Sequence, residues 1–110
     1  MIPLPTQEQF ESLLKRNWVE PGAAFVVVYF TAPWCGACKK LDLDALQAAR
    51  SDVIWYKVNV DENTYSLGYC GLNRIPGFVF LKEGDVVHQV NSSSNQVILD
   101  LMNQFFVVGK

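Results

Sequence analysis

Two of the three cysteines in this 110-residue chain, Cys35 and Cys38, are separated only by Gly36 and Ala37. That spacing serves two chemistries. Thiol–disulfide exchange needs a thiolate that attacks and a second thiol close enough to release the mixed disulfide before it stalls. Metal binding needs thiolates that converge with further ligands, and one Cys-x-x-Cys supplies half of a four-ligand zinc or iron–sulfur set. The metal alternative requires Cys70 and His88 to join the pair, because the sequence holds no second Cys-x-x-Cys. An odd cysteine count with two thiols this close does not suit the disulfide framework of a small secreted domain.

For exchange, the geometry expected is a helix that opens at Cys35. Unpaired backbone N–H groups of the first turn and the positive end of the helix dipole then favour the Cys35 thiolate, the nucleophile. Cys38 follows one turn later, about 5–6 Å away, within the Cα separation a disulfide tolerates, and is the resolving thiol. Gly36 and Ala37 carry no bulk, so a substrate backbone is expected to approach an exposed Cys35 sulfur. Trp34 supplies a flat apolar surface beside it.

The elements that position this pair are legible from apolar periodicity. Thr6-Gln7-Glu8-Gln9 has the form of a capping box, followed by Phe10, Leu13 and Leu14 at helical spacing, which predicts a first helix from Thr6 to about Asn17. After Pro21-Gly22, the continuous run Phe25 to Phe30 predicts a central strand covered on both faces. A second helix is expected from Cys35 to about Arg50, with Leu41, Ala45, Ala48 and Ala49 inward and Asp42 and Asp44 near the opposite face. Val53 to Val60 reads as a strand, and Tyr65 to Tyr69 as a short helix. Pro76 stands at the start of a strand over Gly77 to Leu81, where its missing N–H is tolerated. Lys82-Glu83-Gly84-Asp85 predicts a hairpin to Val86–Val90, and Ser93-Ser94-Asn95-Gln96 caps a last helix with Ile98, Leu101, Met102 and Phe105 on its apolar face.

This order predicts an α/β fold, a central sheet between helices, in a single domain over residues 1–110. Half of the residues are hydrophobic, enough for a core, and the formal charge of -2 gives no broad attraction to nucleic acid or anionic membrane. No apolar run approaches the roughly 18 residues that span a bilayer, so a soluble, cytoplasmic protein is expected.

Trp34-Cys35-Gly36-Ala37-Cys38-Lys39 resembles the WCGPCK motif of thioredoxins, with alanine in place of proline. Lys57-Val58-Asn59-Val60-Asp61 resembles the K-x-N-x-D segment of that family, Ile75-Pro76 its cis-proline dipeptide, and Lys82-Glu83-Gly84 the hairpin after it. The similarity runs from about Phe25 to Val90 in the family's order. It implies a thioredoxin fold with a central mixed β-sheet flanked by helices. It also implies a protein-disulfide reductase in electron transport, with a redox-active Cys35–Cys38 disulfide and no tightly bound cofactor or metal. Pro76 is then cis, faces the disulfide and, with Ile75 and Trp34, shapes the groove for an extended substrate. The implied partners are disulfide-containing proteins and an NADPH-dependent thioredoxin reductase, met as a monomer. The alternative is a binding module or accessory subunit that docks through the same groove.

Departures from the family pattern mark where this chain differs. Tyr29 replaces a buried aspartate understood to help deprotonate the resolving cysteine, and a phenol of pKa about 10 is a poor base at neutral pH. Lys57 thereby loses its carboxylate neighbour and is expected to reach for water. Leu43 stands where the family has a mid-helix proline, so the second helix is expected to run straighter. Asn91-Ser92 replaces a valine–glycine pair of the groove, and Arg74 adds charge beside Pro76. Cys70 and the indoles of Trp18 and Trp55 are expected in the core, and His88 on a strand surface.

Overall fold

The β-branched and aromatic run Phe25–Thr31 forms the middle of a five-stranded sheet, and every one of its residues is buried. The computed structural model describes residues 2–3, 25–62, 74–83 and 85–107. Its strands are β1 (Ile2–Pro3), β2 (Phe25–Thr31), β3 (Val53–Asn59), β4 (Gly77–Lys82) and β5 (Asp85–Asn91), ordered β1-β3-β2-β4-β5. β1 and β2 run parallel to β3, whereas β4 runs antiparallel to both β2 and β5, so the sheet is mixed. The helices expected at Thr6–Asn17 and Tyr65–Tyr69 lie outside the described residues.

Alternation along β2 divides the core. Val26, Val28 and Phe30 face one side with Val58, Val79 and Leu81. Phe25, Val27 and Tyr29 face the other with Trp55, Phe78, Phe80 and both cysteines. A fully buried aliphatic or aromatic side chain contributes about 1.5–3 kcal/mol, so β2 is the strand the rest of the sheet condenses on. Among the described residues two helices cover the second face. α1 (Leu43–Ala49) inserts Leu46, and α2 (Asn95–Phe105) inserts Ile98 and Met102, with Phe106 following. Phe106 stacks on Phe25 with ring centroids 4.9 Å apart. α2 is capped by Ser94, whose hydroxyl accepts from Val97 N–H at 3.4 Å.

The expected continuous helix from Cys35 to Arg50 is interrupted. A three-residue 3₁₀ turn, Cys38–Lys40, is followed by Leu41 in extended backbone (φ -82°, ψ 139°). α1 then begins afresh after Asp42, which accepts from Ala45 N–H at 3.1 Å as its N-cap. The break has an identifiable cause. Asp42 N–H donates to Asn95 Oδ1 and Asn95 Nδ2 donates to Asp42 O, both at 2.9 Å, so the backbone groups of Asp42 are engaged by α2's first residue. Restarting there rephases the helix: Leu46 is buried, and Ala45, Ala48 and Ala49, expected inward, are exposed.

The other junctions are tied by side chains that cross between elements. Arg50, just past α1, donates to Phe106 O at 2.7 Å and to Met102 O at 3.2 Å, the latter shared with Phe106 N–H at 2.8 Å, so it serves the carbonyls at the end of α2. It also pairs with Asp52 through two bonds, Nε to Oδ1 at 3.0 Å and an outer nitrogen to Oδ2 at 2.6 Å. Asp52 raises the Arg50 pKa, and Arg50 holds the Asp52 carboxyl below its usual range, in each case mainly through this hydrogen bonding. The β4–β5 pairing starts Gly77 opposite Asn91, with an irregularity between Phe80 and Leu81. Glu83, in its turn, has positive φ (53°), and Gly84 lies outside the described residues.

Candidate active site

Where β2 ends, Val60 N–H donates to Thr31 O at 2.9 Å, and Cys35 N–H turns back to Ala32 O at 3.1 Å. The chain thus leaves the sheet in a tight turn, carrying Trp34 outward, 67% exposed. The indole is not loose. Its Nε1 donates to both carboxylate oxygens of Asp61, at 3.2 and 3.1 Å, and Asp61 N–H in turn donates to Asn59 Oδ1 at 3.0 Å. Sequence reasoning gave Trp34 only an apolar role; the aspartate that holds it stands in the Lys57–Asp61 segment already singled out.

Cys35 and Cys38 form a disulfide with Cα atoms 5.3 Å apart. Neither cysteine is open to solvent: Cys35 is 5% and Cys38 7% exposed, so the expected exposed sulfur is corrected. Trp34 and Gly36 flank it in the open while the cysteines settle into the apolar cluster under the sheet face. The expected helix dipole is corrected too, because only the 3₁₀ turn follows. In its place Cys38 N–H donates directly to Cys35 Sγ at 3.0 Å. That contact is one-sided, and a charge on Cys35 sulfur would receive it in full.

Tyr29 lies in the same cluster, 2% exposed, with its ring stacked on Phe78 at 5.1 Å. Its hydroxyl donates to Thr31 Oγ1 at 3.2 Å. Burial pushes the phenol above its ordinary pKa, against a smaller lowering from the Thr31 bond. Lys57 is level with Tyr29 on β3 but exposed, lining with Thr31, Ala32, Pro33 and Asn59 a hollow of about 230 Å³. The lysine reaches water as its chemistry suggests.

The Ile75–Pro76 peptide bond is cis. Ile75 packs against the apolar cluster that holds both cysteines, and Pro76 is buried at the start of β4, one step beyond the Phe30–Gly77 pairing at the end of β2. Arg74, Ile75, Pro76, Asn91, Ser92 and Ser93 line an open groove of about 190 Å³. Asn91 spans it: its amide nitrogen donates to Arg74 O at 2.6 Å and to Pro76 O at 3.3 Å. The sequence marked Asn91 as a departure; that it bridges the residues on either side of Ile75 follows only from the strand register.

No group of three or more potential metal ligands occurs among the described residues. Cys70 and Trp18 lie outside them. His88 is not a free surface residue; it is half-buried and stacks on Phe105 at 4.6 Å and Phe80 at 6.0 Å. Trp55 is core, as expected, 4% exposed, and its indole N–H finds no partner among the described residues.

A disulfide in the turn after the central strand of a mixed sheet, with a cis-proline segment at the neighbouring strand, defines a thiol–disulfide oxidoreductase. The thioredoxin family model matches residues 2–104. The chain is 34% identical over 95 residues to a thioredoxin of Geodia cydonium, covering 84% of this chain and 86% of that one. With a thioredoxin of Chlamydia caviae it shares 30% over 107 residues, 94% of this chain and 98% of the relative. Among solved structures, Fasciola hepatica thioredoxin superposes with a TM-score of 0.80 at 27% identity, covering 94% of this chain and 98% of that chain. The thioredoxin of Schistosoma mansoni gives 0.78 at 30%, covering 94% of each. The chain belongs to the thioredoxin family and has its fold. Its function is thiol–disulfide exchange, and its redox centre is its own disulfide.

Proposed function

We propose that the protein reduces disulfides in other proteins, with Cys35 as nucleophile and Cys38 as resolving thiol. The supporting observation is the one-sided bond from Cys38 N–H to Cys35 Sγ, which favours negative charge on Cys35 rather than on Cys38. In the reduced protein the Cys35 thiolate attacks one sulfur of the substrate disulfide. That S–S bond breaks, the first substrate sulfur leaves as a thiolate and takes a proton, and Cys35 is held in a mixed disulfide. Cys38 then gives up its proton and attacks Cys35 Sγ, expelling the second substrate thiolate. Two electrons have moved to the substrate, and the protein carries the Cys35–Cys38 disulfide.

Trp34, Gly36, Ala37, Ile75 and Pro76 form the substrate surface in this reading, with the backbone around Pro76 meeting an extended peptide. Tyr29 and Lys57 act as modulators: the neutral phenol leaves the Cys38 proton without a nearby carboxylate acceptor. The disulfide is recharged with two electrons from NADPH through a thioredoxin-reductase-type flavoprotein. The chain acts as a single-domain monomer in the cytoplasm, where reducing conditions keep the cycle turning.

The test is a pair of serine variants with a protein disulfide as substrate. Cys35→Ser is expected to abolish reduction, and Cys38→Ser to react once and stop as a mixed disulfide seen by mass spectrometry. A covalent adduct from Cys35→Ser and none from Cys38→Ser would reverse the assignment. A reduction potential near -270 mV is expected for a reductant; one between about -180 and -120 mV would make the protein an oxidant or isomerase.

A further inference from the structure

The described residues lining the groove beside Pro76 offer one cationic donor, the Arg74 guanidinium, and one hydroxyl donor at Ser92. Asn91 fixes the segment that carries the first of these: its carboxamide nitrogen donates to the carbonyls of both Arg74 and Pro76. Ser92 supplies the second. Its Oγ accepts from Ser94 N–H at 3.1 Å, which leaves the hydroxyl proton to donate elsewhere. Among the six described residues lining the groove only Arg74 carries formal charge, it is exposed, and it forms no ion pair with another described residue. A guanidinium and a hydroxyl donor lining one groove match a carboxylate and disfavour an ammonium.

Resting on the reductase reading above, we propose that this groove is an acceptor-selecting subsite, so that the preferred substrates carry an aspartate or glutamate next to the cysteine attacked. Asn91 acts as the positioning residue, straddling Ile75 and holding the Arg74–Pro76 segment against β5, while Arg74 and Ser92 face the substrate's carboxylate. The chain's acidic balance of nine basic to eleven acidic residues makes the preference local to the groove rather than a consequence of net charge.

Three disulfide-bridged peptides that differ only in Glu, Gln or Lys beside the cysteine test this. The Glu peptide is expected to be reduced with kcat/KM about fivefold above the Lys peptide, mostly through KM, with Gln between them, and the ratio should shrink as salt is raised. Arg74→Gln should bring the Glu-to-Lys ratio close to one. Asn91→Ala should raise KM for all three, and Asn91→Gln should not restore it, because the longer side chain overshoots the two carbonyls. Equal kcat/KM for the Glu and Lys peptides, or a ratio that persists in Arg74→Gln, would overturn the proposal. The same peptides with serine in place of cysteine, titrated onto the oxidised protein and followed by amide chemical shifts, give the answer without turnover. Tighter binding of the Glu peptide at Ile75 and Ser92 supports the subsite even if no peptide is reduced, an outcome that would remove the reductase reading alone; equal binding overturns the subsite.

Discussion

Tyr29 is buried in the same apolar cluster as the two cysteines with its hydroxyl given to Thr31 at 3.2 Å, and burial holds its pKa above that of a free phenol. At neutral pH it carries no charge and takes no proton. In the proposed cycle this leaves attack by Cys35 untouched and slows the step in which Cys38 must lose a proton. Tyr29→Asp is therefore expected to speed release of the mixed disulfide by about a hundredfold, the low end of what a positioned base gives. It should also cost about 2–4 kcal/mol of stability, because the stacking on Phe78 is lost and a carboxyl is buried. Rapid-mixing measurement of mixed-disulfide decay checks the first, and an unchanged decay rate removes Tyr29 from any account of Cys38. Linkage adds a sign: a phenol whose folded pKa is raised stabilises the fold below about pH 10 and loses that contribution as pH rises through the folded value. Single residues of this kind were legible as departures from a motif. What they touch was not, because Thr31 to Tyr29, Asp61 to Trp34 and Asn91 to Arg74 depend on strand register and turn geometry that type and spacing leave open.

Between elements, a few side chains decide how the helices sit. Apolar patterning gave β2 to β5 to within a residue or so, since a one-residue slip would turn each buried side chain of β2 or β4 to the wrong face, whereas the two-residue β1 was missed because it is too short to carry a pattern. The helix after the cysteines was read as continuous because no proline interrupts it, yet it breaks at Leu41 and Asp42. The competing signal was an aspartate with a strong N-cap preference, and its partner Asn95 lies 53 positions away, beyond any local window. Leu43, where the family has proline, is the first residue of α1, a position at which proline is tolerated as well as leucine. Arg50 performs a matching task at the other end. Arg50→Ala is expected to destabilise by about 2 kcal/mol and to lower Tm by roughly 10 °C, read by calorimetry, since Phe106 O loses the guanidinium that it accepts from and Met102 O loses the second of its two donors. Asp52 gives that junction an acid limit. Its folded pKa is depressed, so its contribution is present above the ordinary carboxylate value of about 4 and fades as pH falls through the folded value; Asp52→Asn should flatten that part of the acid unfolding curve.

At the scale of the molecule, the central strand was the easiest feature to read and the most consequential. Seven consecutive buried residues, flanked by β3 on one side and β4 on the other, fix the order of the sheet around them. Both helices of the described residues then crowd onto the face that also holds the disulfide. The division of the core into two faces could be taken from period-two alternation alone, whereas the choice of which face receives the cysteines depends on the turn at Ala32–Cys35. The same arrangement sets a steep gradient in how often the backbone opens. Amides of Val27 through Phe30 sit between two paired strands and should exchange with deuterium only through global unfolding, while those of Lys39 through Leu41, held by single 3₁₀ bonds of 3.2 Å, should exchange orders of magnitude faster. Exchange followed by NMR or mass spectrometry would place this boundary within a few residues of Cys35. The reacting sulfur thus sits at the hinge between a strand that opens only with the whole fold and a turn that opens locally, and the sulfur that releases it lies on the turn's side of that hinge.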